Sequence, residues 1–294
     1  MIVITAPTSS IGSQVLENIL DGGEPIRVIA RDPSRIPTHV RERIEIVEGS
    51  HGDADIVQRA FEGADAVFWL PPPNPLTSTI EAAFLDFTRP ACEAFKSAGV
   101  RRVVGISALG RGTGLEGNAG MVTVSLAMDN LIASTGVAYR PLTMPSFIDN
   151  MLRQVQSIGK QGMFFSPLTG DRKHPTCATR DIATVAARRL LDHFWSGSHE
   201  VPVLGPEDLS QEDMARIMSE ALGKPVRFQQ IPIDAFKAQL LERGSSEAFA
   251  QGIVDMMIAK DNGLDDGETR TPENTTPTSF RQWCEEVLKP AVAG

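Results

Sequence analysis

The chain has 294 residues, 41% of them hydrophobic, enough for one α/β domain with an appended lobe and a sizeable core. A formal net charge of −9, with no lysine/arginine cluster, argues against a nucleic-acid-binding surface. No apolar run reaches membrane-spanning length, Met1 leads straight into a β-branched run without a signal-peptide pattern, and Cys92, Cys177 and Cys284 lack metal-ligand spacing, so the expectation is a cytoplasmic protein with reduced thiols.

Ile2-Val3-Ile4 reads as a strand. A compact turn of small residues follows, Thr5-Ala6-Pro7-Thr8-Ser9-Ser10-Ile11-Gly12, then an amphipathic helix over 13–20. This is the opening of a dinucleotide-binding fold, where helix N-terminal amides meet a pyrophosphate. The usual fingerprint has glycine at three positions of the turn; here Ala6 and Ser9 occupy the first two and Gly12 the third. Ala6 is compact enough if its φ is negative, and the Ser9 hydroxyl is a candidate partner for a phosphate oxygen.

Further strands are expected at 26–30, 44–47, 64–70 and 103–107, with helices at about 53–62 and 77–98. Pro90 should kink or divide the second helix. Strands and helices alternating at this spacing imply right-handed βαβ crossovers and a parallel sheet. Ligands of such sheets lie beyond the carboxyl ends of the strands. The candidate residues are therefore those of the opening turn, Arg31 and Arg35, Ser50 and His51, Leu70 and Pro71, and Ser107 with Leu109.

Residues 110–120 are a glycine-rich loop, followed by a helix at about 122–134 and a strand at 137–142. Beyond Asn150 the pattern loosens. A helix spans 181–194, with Asp181 as its cap, and another starts at the N-cap Ser210 and ends near Gly223. A strand at 226–231, a helix at 234–242, a polar, exposed connection at 261–279 and a terminal helix at 280–288 complete the chain. The expected fold class is α/β, a doubly wound parallel Rossmann sheet with a small C-terminal α/β lobe. The dinucleotide domain spans 1–150, completed by 176–194, and the substrate lobe spans 151–294.

At the end of the second strand an acid would bind the 2′-hydroxyl of NAD, whereas an arginine takes the 2′-phosphate of NADP. Arg31 stands there, Arg35 offers a second charge, and the adjacent carboxylate of Asp32 complicates the site. NADP(H) is therefore favoured over NAD(H). His51 is either an adenine contact or an exposed loop histidine. The single tyrosine, Tyr139, is followed four residues on by Thr143 and not by lysine. That excludes a Tyr–x–x–x–Lys pair, in which lysine lowers the phenol pKa for proton transfer.

The ordered set of Thr5–x–x–Thr8–x–x–Ile11-Gly12, Val28-Ile29-Ala30-Arg31-Asp32-Pro33, Gly63-Ala64-Asp65-Ala66-Val67-Phe68, the segment from Ala133 to Asn150, Arg180-Asp181-Ile182-Ala183 and Val203-Leu204-Gly205-Pro206 resembles the NmrA-like family of atypical short-chain dehydrogenases/reductases. The resemblance implies a Rossmann domain that usually binds NADP(H), with a lobe covering the substrate cleft. Some members reduce quinones or small unsaturated compounds; others are regulators or redox sensors. Many carry a lysine on the helix after the fifth strand. Ser125 matches that position, and no lysine lies between Lys96 and Lys160. The family places the loop at Met144 and Pro145 under the nicotinamide. Leu109, Met121, Phe147, Asn150, Phe164 and Phe165 are the substrate candidates, lining an apolar cleft or packing the core. No catalytic residue is assigned; Ser107, Ser125, water and the substrate itself are the candidate proton sources. The expected activity is NADP(H)-dependent reduction of a small apolar conjugated carbonyl or quinone. The alternatives are a non-catalytic NADP(H) sensor or regulator with a protein partner, and a redox-neutral cyclase or isomerase.

Overall fold

A computed structural model describes all residues, 1–294, and divides the chain into two compact units. The first unit comprises residues 1–108, 124–143 and 182–201; the second comprises 109–123, 144–181 and 202–294. The second unit thus takes up 109–123 and 144–150, which the sequence pattern assigns to the dinucleotide domain.

The first unit is built on β1 (Ile2–Ile4), α1 (Ser10–Ile19), β2 (Ile26–Ala30), α2 (Thr38–Arg41), β3 (Glu45–Glu48), α3 (Ala54–Phe61), β4 (Ala66–Trp69), α4 (Phe87–Ser97), β5 (Arg102–Ala108), most of α5 (Met121–Ala133) and β6 (Ala138–Met144). Its strand order is 3-2-1-4-5-6, with the short strand Val201–Pro202 beyond β6. β3, β2, β1, β4 and β5 pair in parallel. This is the Rossmann-type α/β sheet expected from the sequence, and its order reverses between β1 and β4, the switch point where such folds take ligands. β4 is buried along its whole length, as a continuous apolar run in a central parallel strand should be.

On one side, Phe61 stacks on Phe95 with centroids 5.2 Å apart, and the Trp69 indole N–H donates to Thr88 Oγ1 at 3.1 Å. Gly105 in β5 is needed by its neighbour: a Cβ there would stand 2.3 Å from the Tyr139 hydroxyl. Pro90 does not break α4. The turn before it, Ala82–Asp86, is π-helical, so the chain is already widened where the proline lacks a donor to Asp86.

In the second unit, the strand His174–Cys177 lies between Asp208–Leu209 and Ser146–Phe147, and Met163–Ser166 pairs in parallel with Arg227–Gln230. The helix Gln211–Leu222 starts in a capping box of Ser210 and Asp213 and ends on the left-handed Gly223. Phe164, Phe280 and Trp283 form its core, with Phe280 stacked on Trp283 at 5.8 Å. Asp181 is not a helix cap. The helix starts at Thr179, whose N–H donates to Asp149 at 2.8 Å, while Asp181 accepts from the N–H and hydroxyl of Thr278. The stretch 261–279 is not an exposed connection either: Leu264, Asp265, Thr276 and Thr278 are buried. The buried polar residues of this stretch are paired: Asp265 with Lys260, Thr276 with the Leu204 carbonyl and Thr278 with Asp181.

Candidate functional site

The turn after β1 is closed from within. The Ser9 N–H and hydroxyl both donate to the Ala6 carbonyl, at 3.0 and 2.9 Å, and Gly12 N–H donates to Ser9 Oγ at 3.0 Å. Ala6 takes φ +48°, left-handed and not negative as its side chain would prefer. The single proton of the Ser9 hydroxyl is committed to Ala6, so Ser9 caps α1 and does not donate to a phosphate. Gly12 is required here, because a Cβ would stand 2.1 Å from the Ala6 oxygen. Helix α1 consequently starts at Ser10, and the amides of Ser10 and Ile11 in its first turn have no partner within the chain. Thr8 is half-buried in the turn. Thr5 is fully buried at the switch point, its hydroxyl donating to the Phe68 carbonyl and accepting from Leu70 N–H, both at 2.9 Å. Thr5 holds β1 to β4, and its N–H and hydroxyl proton are committed to that contact.

A cavity of about 250 Å³ opens beyond β2, β3 and β4. Arg31, Ser50 and Pro72-Pro73-Asn74 form part of its wall, and Ala82, Ala83 and Phe87 the rest. Arg31 is exposed, as is Arg35 on the neighbouring single turn. Asp32 forms no ion pair with either, although the charge of Arg35 helps to keep it ionised. Its carboxylate accepts from the Ser34 hydroxyl at 2.6 Å and the Ser34 N–H at 3.0 Å, and these bonds, the hydroxyl first, hold its pKa below the ordinary carboxylate value. Ser50 accepts from Gly52 N–H at 3.2 Å. His51 is not exposed. It is buried, and Nε2–H donates to the Leu70 carbonyl at 3.0 Å. Pro71 is half-buried just beyond.

Near the end of β5, Ser107 donates to the buried carboxylate of Asp129 on α5, and the Tyr139 hydroxyl donates to the same group at 2.7 Å. Tyr139 is 0% exposed. Ser125 is buried one turn before Asp129 on that helix. Asp129 was missed by sequence reasoning, although it is the only acidic residue in the apolar run 121–133.

In the second unit, Leu109 N–H donates to the Met144 carbonyl at 3.1 Å, and Leu109, Met121, Met144 and Pro145 are buried. Phe147 is half-buried in a strand, and Asn150 is exposed. Phe164 is a core residue, 5.4 Å from Phe228 and closed to solvent, so it does not line a cleft. Phe165 is half-buried, its backbone bonded on both sides to the Gln154 amide.

The family model of NAD(P)H-binding proteins matches residues 8–193, and that of the NmrA-like family matches residues 125–276, more than half of the chain in each case. The chain belongs to the NmrA-like family. This NmrA-like protein is 29% identical over 256 residues to the (4-alkanoyl-5-oxo-2,5-dihydrofuran-3-yl)methyl phosphate reductase of Streptomyces griseus, covering 85% of each chain. Its fold is shared with a nucleoside-diphosphate-sugar epimerase of Staphylococcus aureus, with a TM-score of 0.82, 17% identity, and coverage of 97% of this chain and 99% of that one. It is shared too with an NADPH-dependent quinone oxidoreductase of Escherichia coli complexed with NADPH, with a TM-score of 0.78, 22% identity, and coverage of 100% and 99%.

The residues present fit a dinucleotide. The two unpartnered amides at the start of α1 suit a pyrophosphate, and Gly12 lets the turn close tightly behind them. The cavity beyond β2–β4 has a wall for a flat base in Phe87 and a free guanidinium in Arg31.

Proposed function

We propose that the protein is an NADP(H)-dependent oxidoreductase that reduces a small, apolar, conjugated carbonyl or quinone-type compound. One observation carries the cofactor half of this reading. Arg31 is the only charged residue lining the cavity beyond β2–β4, and the neighbouring carboxylate of Asp32 is turned onto Ser34. A 2′-phosphate meets an available guanidinium there, while the ribose of NAD finds no carboxylate for its 2′-hydroxyl. The similarity to a reductase of an oxo-dihydrofuran supports a conjugated carbonyl substrate.

When bound, the reduced nicotinamide supplies a hydride. The chain's own part is to bind, to orient and to limit water, which accounts for much of a hydride-transfer barrier. Tyr139 is sealed from solvent and donates to Asp129, so this reading assigns the accompanying proton to water and not to a phenol.

The test is a titration of the protein with NADPH and NADH, followed by absorbance of bound NADPH across a panel of quinones and enones. The expected result is preference for NADPH and its oxidation by members of the panel. Absence of NADPH binding overturns the reading. Tight binding without oxidation favours the second one, an NADP(H) sensor acting through a protein partner, to which the sequestered Tyr139 and the serine at position 125 also point.

A further inference from the structure

We propose that His51 is a positioning residue that shapes the adenosine pocket and thereby sets how tightly the adenosine half of NADP(H) is held; this rests on the cofactor reading above. His51 does not itself line the cavity, yet it touches or adjoins three parts of the wall. Its Nε2–H fixes the Leu70 carbonyl at 3.0 Å, two residues before Pro72 and Pro73. Its ring meets Phe87 edge-on at 4.9 Å and Trp69 at 5.3 Å. Its neighbour in sequence, Ser50, is the third.

Phe87 is the part of the wall broad enough for a base to lie against, and its ring is held by two neighbours in the loop after β3. His51 presses on it, and Gly52 lies so close that a Cβ there would stand 2.4 Å from the ring. The other end of the clamp is equally fixed, because Leu70 N–H is bonded to Thr5 at the switch point. A single imidazole thus ties the loop after β3 to the loop after β4 and to the start of α4.

The imidazole suits this place because it is neutral. Burial pushes its pKa down to about 4, and the charge of Arg31 acts in the same direction. As a neutral Nε2–H donor it satisfies a carbonyl among aromatic rings without competing with Arg31 for a phosphate.

The test uses two probes of the full-length protein, 2′,5′-ADP for the adenosine half and NMNH for the nicotinamide half. His51→Leu removes the donor and the ring. It is expected to weaken 2′,5′-ADP and NADPH by roughly tenfold, the order of one lost buried hydrogen bond and its packing, while NMNH changes by less than about twofold. His51→Gln places an amide N–H near the Nε2 position and is expected to recover most of the loss. A folded His51→Leu protein with unchanged 2′,5′-ADP affinity overturns the proposal, and so does equal weakening of both probes, which marks general loosening. If His51→Leu does not fold, Phe87→Leu is expected to give the same split, and its failure to do so counts equally against the proposal. A parent protein that binds neither NADPH nor 2′,5′-ADP overturns the cofactor reading and this proposal with it.

Discussion

His51 in the first unit and His174 in the second are both buried, 7% and 4% exposed, and burial pushes both imidazoles below their ordinary pKa. Their surroundings are otherwise opposite. His51 has a carbonyl on Nε2 and aromatic edges around the ring, with Arg31 as the charge nearby. His174 has no hydrogen bond on Nε2, which lies 3.8 Å from Asp261. Around it are Arg172, Lys260 and Asp265, and the two carboxylates oppose the effect of burial. Lys260 and Asp265 form a buried ion pair, and one Asp265 oxygen has no partner. The first unit therefore settles its buried histidine with one directed bond, and that bond braces a pocket. The second settles its own with opposed charges; nearby, Asp261 at the end of the helix Glu247–Asp261 accepts from Thr169 and Asp266 just beyond it pairs with Arg172, which ties this region to the loop before His174.

The contrast is broken most directly at Lys260. Lys260→Met leaves Asp265 buried without its counter-charge and is expected to cost about 3–5 kcal/mol in urea unfolding. Lys260→Met with Asp265→Leu should recover most of that, since a matched apolar pair has no charge to desolvate. A loss under about 1 kcal/mol for the single variant would mean that the pair is solvated and the two units bury polar groups alike.

The acid limb of stability comes next. The folded pKa of His51, about 4, lies below its unfolded value of 6.5, so the folded state binds fewer protons between the two. The resulting stability is fully present above pH 6.5 and is lost as pH falls to about 4, by at most about 1.4 kcal/mol per pH unit. Comparing urea midpoints at pH 7 and 4.5, His51→Gln should flatten this loss. His174→Gln should flatten it less, because Asp265 and Asp261 already favour the protonated ring. Equal flattening would erase the distinction between the two sites.

Arg31→Ala is expected to have the next largest effect, and on binding alone. Removing a charge-assisted contact to the 2′-phosphate should weaken NADPH by about 1.5–3 kcal/mol and leave NADH nearly unchanged. A variant that still prefers NADPH refutes the role given to Arg31.

Much of the first unit was legible because its signals are local. β-branched runs and turn residues placed β2 at 26–30, and the strand ends followed from the alternation. The place of Arg31 beside the cavity was readable for the same reason. His51 was readable as a residue at a strand end but its burial was not, because that depends on Trp69 and Phe87, which no periodicity connects to it. The second unit was harder. The helix Glu247–Asp261 carries apolar residues most of the way round, with Ala248, Met256 and Ala259 lying outside the face of Phe249, Ile253 and Met257, so no narrow apolar stripe marks it. The stretch 261–279 looked exposed because its composition is polar; Asp265 and Thr278 are buried only because Lys260 and Asp181 meet them.

The opening turn gives the smallest and sharpest effect. At Ala6 an alanine occupies a left-handed conformation, which costs an L-residue roughly 1–2 kcal/mol relative to glycine. Glycine gives back about 0.4–1 kcal/mol through the greater freedom of the unfolded chain. Ala6→Gly should therefore stabilise the protein by somewhat under about 1 kcal/mol, read as a raised urea midpoint. The contacts that close the turn use the Ala6 carbonyl, which glycine keeps, so the amides of Ser10 and Ile11 should stay where they are and NADPH affinity should not change. Ser9→Ala, in contrast, removes the cap and the hydroxyl bond to Ala6, and should cost about 1 kcal/mol. If Ala6→Gly instead raised NADPH affinity without raising stability, the strain at residue 6 would lie in the approach of the backbone to the phosphates and not in the turn itself.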